Sequence, residues 1–160
     1  MAIYMKYGPI EGDATAQSHE KWITCDSIQW GGGRAISTPT GSAKNREASM
    51  VSISEVVVTK PQDGASPELL KRSYVGTDGE DVTVHLTTTS DQGVNTIMEL
   101  LLTNTLVSGF SVSSGGDRPS ESISMNFTKI QSTFHNQTVE DTEAATPFAV
   151  TYDIATAVAT

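Results

Sequence analysis

Most of the chain consists of short segments in which apolar and polar residues alternate. Val82, Val84 and Leu86 follow this pattern, and so do Ile123 and Met125 further along. Side chains of a strand point to opposite faces in turn, so a period of two indicates strands with one buried face. Frequent Gly, Pro, Ser and Asp clusters separate the segments. The pattern predicts a mainly β protein, an antiparallel barrel or sandwich, in which the 160 residues form one domain, 1–160.

The individual strands can be placed by the same alternation. One segment, residues 95–103, has apolar residues on both faces and fits a helix or a strand. A change of parity between Phe127 and Ile130 predicts a β-bulge near Thr128. The other predicted strands cover residues 2–7, 21–30, 50–60, 82–86, 106–112, 123–134 and 148–154.

A single helix is predicted at about residues 66–75. Ser66 can cap it, Pro67 suits its first position, and Glu68 complements the positive end of the helix dipole. Gly76 is expected to stop it.

A long extended loop is predicted at about residues 31–49. This stretch begins with three glycines and has no apolar period. Loops of this length are unusual inside a compact domain and are commonly functional. A stretch this polar cannot build a core of its own, so we expect it to become ordered against another chain.

No chemical site is evident in the sequence. The three histidines, His19, His85 and His135, lack the spacing of a metal site, and we expect them to be surface or incidental residues. Cys25 is the only cysteine and is expected to be a buried, inert thiol. We therefore predict no catalytic residues, no cofactor and no metal, and hence no enzyme.

Charge and hydropathy limit the partners. The formal net charge is −9, which argues against binding to nucleic acid or to anionic membranes. No apolar run approaches the length of a membrane span, and the N-terminal residues do not resemble a cleaved export signal. These features predict a cytoplasmic protein, whose export would need another route.

Several motifs, in the same order along the chain, resemble one known family. Residues 107–128, VSGFSVSSGGDRPSESISMNFT, are similar to the strand, Gly-Gly-Asp-Arg-Pro turn and returning strand of the Hcp (haemolysin-coregulated protein) family. The same holds for SIQWG at 27–31, STPTG at 37–41, REAS at 46–49, SEVVVTK at 54–60, ASPEL at 65–69 and YDIATA at 152–157. The resemblance covers nearly the whole chain.

The resemblance implies a small antiparallel β-barrel with one flanking helix, which assembles into homohexameric rings. Rings would stack into the tube of a type VI secretion system, which a contractile sheath drives out of the cell behind a VgrG-like spike protein. The lumen would carry effector proteins, in the service of virulence or bacterial competition. The protein would be cytoplasmic before firing and then secreted without a cleaved signal peptide.

Two regions are candidate subunit or ring-stacking contacts. The first is the long loop and its start, with Trp30, Gly31, Gly33, Arg34, Ser37, Pro39 and Arg46. The second is the turn formed by Asp117, Arg118 and Pro119. Arg118 has two possible roles: it pairs with Asp117 or Glu121 and fixes the turn, or it contacts the next ring.

Three other functions compete with this one. A tail tube subunit of a phage or similar contractile particle would use the same fold. An enzyme or toxin would need a catalytic constellation that the sequence lacks. A monomeric β-barrel ligand-binding module would need an apolar internal pocket.

Overall fold

The computed structural model describes residues 1–41, 47–91, 93–135 and 147–160. Nearly all regular structure is antiparallel strand, and among the described residues there is one helix, α1, Ser66–Tyr74. The strands are β1 Ala2–Tyr7, β2 Ile23–Cys25, β3 Ser27–Gln29, β4 Gly32–Gly33, β5 Ile36–Ser37, β6 Glu47–Ala48, β7 Ser52–Ile53, β8 Val56–Pro61, β9 Glu80–Ser90, β10 Gly93–Ser113, β11 Ser120–Asn126, β12 Lys129–Phe134, β13 Phe148–Asp153 and β14 Val158–Ala159. The mainly β prediction with a single helix is confirmed.

The 21-residue strand β10 organises the sheet. Its first half lies between β9 and β12, and its second half pairs with β11. One larger sheet therefore runs β2, β1, β9, β10, β12, β13, β14, and a second runs β10, β11, β8, β3. The segment left open between helix and strand, residues 95–103, is strand.

The two sheets pack face to face around one apolar core, but the barrel is not closed. The ladders of the described strands stop at β2 in one sheet and at β3 in the other. Asp26 separates these two strands, and its backbone N–H donates to the carbonyl oxygen of Thr59 at 2.7 Å. The single strand predicted at 21–30 is thus two short strands, because the chain passes from one sheet to the other at Asp26.

The bulge predicted near Thr128 is wrong. Thr103 lies opposite Lys129 and Leu106 lies opposite Asn126, so the register is the same on both sides of the break between β11 and β12. Asn104, opposite that break, has a left-handed φ of 53°. Here β10 and the partner chain opposite it change at the same point which of their faces is buried, so the parity changes without an extra residue in their ladder. The register between β10 and β11 shifts elsewhere, between Val107 and Gly109.

Helix α1 begins one residue away from the predicted cap. Ala65 is the N-cap residue and makes no side-chain capping bond, and Pro67 follows at the second helical position. The Ser66 hydroxyl is used elsewhere: it donates to Glu121 Oε2 at 2.9 Å and accepts from Lys60 Nζ at 3.1 Å. The helix ends at Tyr74, two residues before Gly76.

The core is buried as the alternation predicts. Val82, Val84, Ile123 and Met125 are fully buried. Cys25 is buried and free, as expected, and burial raises the pKa of its thiol to about 12. A thiol with that pKa stays protonated and inert at neutral pH.

Candidate self-association surfaces

The stretch predicted as an irregular loop is a two-stranded arm, which we define as residues 31–54. Strand β4 pairs with β7 and β5 pairs with β6, and in the described part of the chain these four strands pair only with one another. The strand predicted at 50–60 accordingly begins later, at Val56, because residues 50–54 belong to the returning side of the arm.

Serine hydroxyls hold the arm together. Ser54 Oγ accepts from the N–H of Gly31 at 2.8 Å, and Ser49 Oγ accepts from the N–H of Ala35 at 3.0 Å. All residues of 31–41 are exposed, and the side chains of Ile36, Met50 and Val51 are exposed apolar groups. The arm is therefore ordered by its own ladders and has apolar side chains without a cover in the subunit.

The structure describes the candidate contact residues of this stretch except one. Gly31, Gly33, Arg34, Ser37 and Pro39 are exposed along the arm. Arg46 lies outside the described residues.

Trp30 is half-buried at the base of the arm, where it packs against the core. It also lines a groove of about 250 Å³ whose opposite wall is formed by Val150 and Tyr152 of β13. Trp30 thus connects the arm to a second surface that the sequence did not indicate.

This second surface, the wing, is the apolar face of β12 and β13 made by Phe134, Phe148 and Val150. Residues directly opposite in an antiparallel ladder share a face. Leu100 lies opposite Ser132, which lies opposite Val150; Met98, Phe134 and Phe148 form the next such row. Since Leu100 is fully buried, the wing is the continuation of the core face beyond the area that the second sheet covers.

The wing is exposed to a degree that is unusual for three neighbouring apolar side chains. Phe148 is 70% exposed, and Phe134 and Val150 are each 46% exposed. Contiguous apolar patches of this kind mark interaction sites. The alternation in residues 148–154 predicted the strand, but no sequence signal shows that its apolar face is left exposed by the described part of the subunit.

The predicted turn contact is separate from the arm. Asp117 and Arg118 are exposed and Pro119 is half-buried, and no hydrogen bond or ion pair among the described residues joins this turn to the arm. The proposed pair of Arg118 with Glu121 is wrong, because Glu121 is buried and bound to Lys60 at 2.6 Å. Arg118 also forms no ion pair with Asp117 in the structure.

Neither a metal centre nor a membrane helix is visible in the part of the chain that is described. It holds no group of three or more His, Cys, Asp or Glu side chains arranged for a metal ion. None of its helices has the length and apolar character needed to cross a membrane. Fold and surfaces together define a β-sheet structural subunit with an apolar wing and an extended arm.

Comparisons with known proteins agree with this class. The profile of the family described as "Type VI secretion system effector, Hcp" matches residues 4–134. A solved structure of a type six secretion system protein is 21% identical, with a TM-score of 0.89 and 99% of each chain covered. Hcp1 from Salmonella typhimurium is 18% identical (TM-score 0.75, 97% of this chain and 95% of that one). A type VI secretion system effector from Yersinia pestis is also 18% identical (TM-score 0.71, 94% and 98%). No curated protein matches the chain significantly.

The chain belongs to the Hcp family of the type VI secretion system. This is a family of structural tube proteins and not of enzymes. Membership of this family implies self-assembly into the secretion tube.

Proposed function

We propose that this chain forms homohexameric rings that stack into a secreted tube. A contractile sheath propels the tube behind a VgrG-like spike, and effector proteins travel in its lumen. Family membership supports the proposal of a tube. The exposed apolar wing is the single observation on which the proposal of a ring depends. The protein acts mechanically, without a cofactor, and is exported with the tube.

The wing supplies the ring contact. A closed ring needs a heterologous interface, in which one surface of a subunit meets a different surface of the next. The wing extends the core face and is apolar, so covering it with a second copy removes Phe134, Phe148 and Val150 from water. Among the described residues of the subunit, nothing else covers these three side chains.

The arm supplies the contact between rings. It is held at its base by Trp30, it is ordered by its own ladders, and its apolar side chains Ile36 and Met50 are exposed. Ile53 packs against the core of the same subunit, whereas Ile36 and Met50 would be covered by contact with another chain. The stacking residues we propose are Gly31, Gly33, Arg34, Ser37, Pro39 and Arg46, with Asp117, Arg118 and Pro119 of the turn.

The double substitution Phe148→Ser and Val150→Ser tests the ring contact. Both side chains are exposed in the subunit, so the variant should fold with an unchanged circular dichroism spectrum but stay a monomer in native mass spectrometry. Tyr74→Ser is the matched control: Tyr74 is 77% exposed, but it lies at the end of α1, away from the wing strands. This control should form rings like the wild type.

Two results would contradict parts of the proposal. A wild-type protein that remains monomeric at high concentration contradicts the tube function. A wild-type ring that survives the double substitution shows instead that a surface other than the wing forms the ring.

Arg118→Ala tests the turn. Because Arg118 is exposed and makes no ion pair in the described structure, its loss should change the melting temperature very little. Stacking of rings, observed by electron microscopy, should decrease. A clear loss of thermal stability with normal stacking would assign Arg118 to the fold of the turn.

A further inference from the structure

Residues 8–22, which we call the cover segment, connect β1 to β2 across the outer face of the larger sheet. Tyr4 and His85 lie opposite each other on that face, while their neighbours Met5 and Val84 point into the core. Two side chains of the cover segment lie on them. The His19 ring stacks on Tyr4 with centroids 4.7 Å apart, and the Trp22 ring lies 4.8 Å from that of His85.

A chain of hydrogen bonds ties the cover segment to the sheet. His19 Nε2 lies 2.8 Å from His85 Nδ1, and His85 Nε2 lies 2.7 Å from Glu99 Oε2 on β10. The remaining ring nitrogen, His19 Nδ1, faces the carbonyl oxygen of Gln17 at 3.4 Å. His19 is only 3% exposed, so it is not the surface or incidental residue that the sequence suggested.

The number of protons that the two histidines can hold in this arrangement is limited. The series of hydrogen bonds ends in an acceptor on both sides: the Gln17 carbonyl oxygen and the Glu99 carboxylate. Each neutral imidazole carries one N–H. Two neutral rings with their protons on Nε2 satisfy the two short contacts: His19 donates to His85, and His85 donates to Glu99. A third proton fits on His19 Nδ1, directed at the Gln17 carbonyl, and leaves both short bonds intact.

A fourth proton has no place in the closed chain. It would have to lie between His19 Nε2 and His85 Nδ1, which are 2.8 Å apart and already share one proton. Two N–H groups would then face each other, on two positively charged rings whose centroids are 5.1 Å apart. The closed cluster therefore accepts one proton beyond the neutral state, whereas two free histidines accept two.

The surroundings also disfavour a second charge. The titratable groups near His85 are Tyr4 on β1, His19 in the cover segment, Glu99 on β10 and His135 after β12. Burial lowers the pKa of His85 below its usual 6.5; Glu99 opposes this effect, and His19 and His135 add to it.

The backbone of the cover segment depends on these contacts. Ser18 and Lys21 have left-handed φ angles of 69° and 66°, which residues other than glycine seldom adopt. Such conformations persist only where surrounding contacts enforce them. His19 and Trp22 lie next to these two positions and are the side chains held by the sheet.

We propose that His19, His85 and Glu99 form a proton-operated clamp, which holds the cover segment on the sheet and releases it when both histidines become charged. Release of the part after Ile10 exposes the outer face of β1 and β9, while Ile10 keeps its place in the core. The clamp thus makes one surface of the subunit dependent on pH, independently of ring formation.

Hydrogen exchange of the full-length protein tests the clamp between pH 7.5 and 5.5, above the range where carboxylates titrate. The N–H groups of Gly12, Ala14, Lys21 and Trp22 donate within the cover segment and report its opening. The open state binds one more proton, so their protection, corrected for the intrinsic rate, should fall about tenfold one pH unit below the free histidine pKa. Amides in the ladder between β9 and β10 should keep their protection.

His85→Gln is the decisive variant, because Gln keeps a donor for Glu99 and an acceptor for His19 but cannot be charged. Its cover segment should have the same protection at both pH values. His135→Gln is the control and should retain the pH dependence. A wild type with no pH dependence in this segment, or a His85→Gln variant that keeps it, overturns the proposal.

A second measurement does not depend on any variant. Long-range proton–nitrogen spectra of the wild type at pH 7.5 should show His85 neutral, with its proton on Nε2 toward Glu99 and its Nδ1 as the acceptor facing His19. A proton on Nδ1 of neutral His85, or a charged His85 at that pH, contradicts the clamp.

Discussion

Lys60 is fully buried, and its position is explained by two carboxylates. Its Nζ lies 2.6 Å from Glu121 Oε2 and 2.9 Å from Asp63 Oδ1, and it donates to Ser66 Oγ at 3.1 Å. These groups come from β8, from the loop before α1, from the start of α1 and from β11. A buried charge is tolerated only when it is paired and fully hydrogen-bonded, so this cluster fixes the helix against the second sheet.

Replacing Lys60 by Met should therefore destabilise the subunit strongly. Two buried carboxylates would lose their cation, and breaking a buried pair in this way lowers the free energy of unfolding by about 3–5 kcal/mol. Lys21→Met is the matched control, because the Lys21–Glu11 pair is exposed and contributes less than about 1 kcal/mol. Urea titrations of both variants measure the difference, and equal small losses would show that the buried cluster contributes little.

The role of Lys60 could not be predicted from the sequence. Glu121 is 61 positions away along the chain, and the sequence offered it only as one of two possible partners of Arg118, three residues before it. Spacing along the chain predicts neighbours within a turn or a helix, but it does not predict which strands become neighbours. For the same reason Ser66 was expected to cap the helix, although its hydroxyl binds across to β11.

At the level of elements, the sequence predicted strands where one face is buried and became ambiguous where both faces are covered. Strand β1 was predicted with its observed bounds, because Gly8 and Pro9 mark its end. Residues 95–103 were ambiguous because the outer face of β10 also carries apolar side chains such as Leu101, which is only half-exposed. The arm was predicted to be a loop, because each of its ladders is only two residues long and its sequence has no apolar period.

The arm is predicted to serve stacking and not folding. Replacing residues 38–45 with the dipeptide Asn-Gly shortens this segment and leaves Ser37 able to pair with Glu47 across a short loop. Because residues 38–41, the described part of this range, are all exposed, the melting temperature should be unchanged and rings should still form. Tubes seen by electron microscopy should become short or disappear.

The wing variant is the natural comparison for this replacement. Phe148→Ser with Val150→Ser should abolish rings, whereas the shortened arm should abolish only their stacking. Tubes of normal length from the shortened arm would show that ring stacking uses another surface.

At the scale of the whole molecule, the order of motifs was sufficient to predict the family, and the profile match over residues 4–134 confirms it. The wing was not predictable, since the apolar residues of β12 and β13 alternate in the same way as those of a covered strand. Whether a face is covered depends on how far the second sheet extends, and among the described strands that sheet consists only of β10, β11, β8 and β3. An uncovered face is thus a property of the assembled fold.

Net charge and the wing have opposite effects on assembly. Each subunit carries a formal charge of −9, so subunits repel one another as they approach. Repulsion between exposed charges is screened by salt: the Debye length falls from about 30 Å at 0.01 M to about 8 Å at 0.15 M ionic strength. The wing contact is apolar, and screening does not weaken it.

Ring formation should therefore increase as the ionic strength rises from 0.01 M to 0.15 M. Sedimentation velocity at one protein concentration would follow the ring and monomer fractions, and the Phe148→Ser, Val150→Ser variant should remain monomeric at both salt concentrations. If rings instead dissociate when salt is added, ion pairs between subunits hold them together. Such a result would mean that salt weakens the contact that closes the ring, which an apolar contact would not show. The apolar wing would then be assigned to another partner.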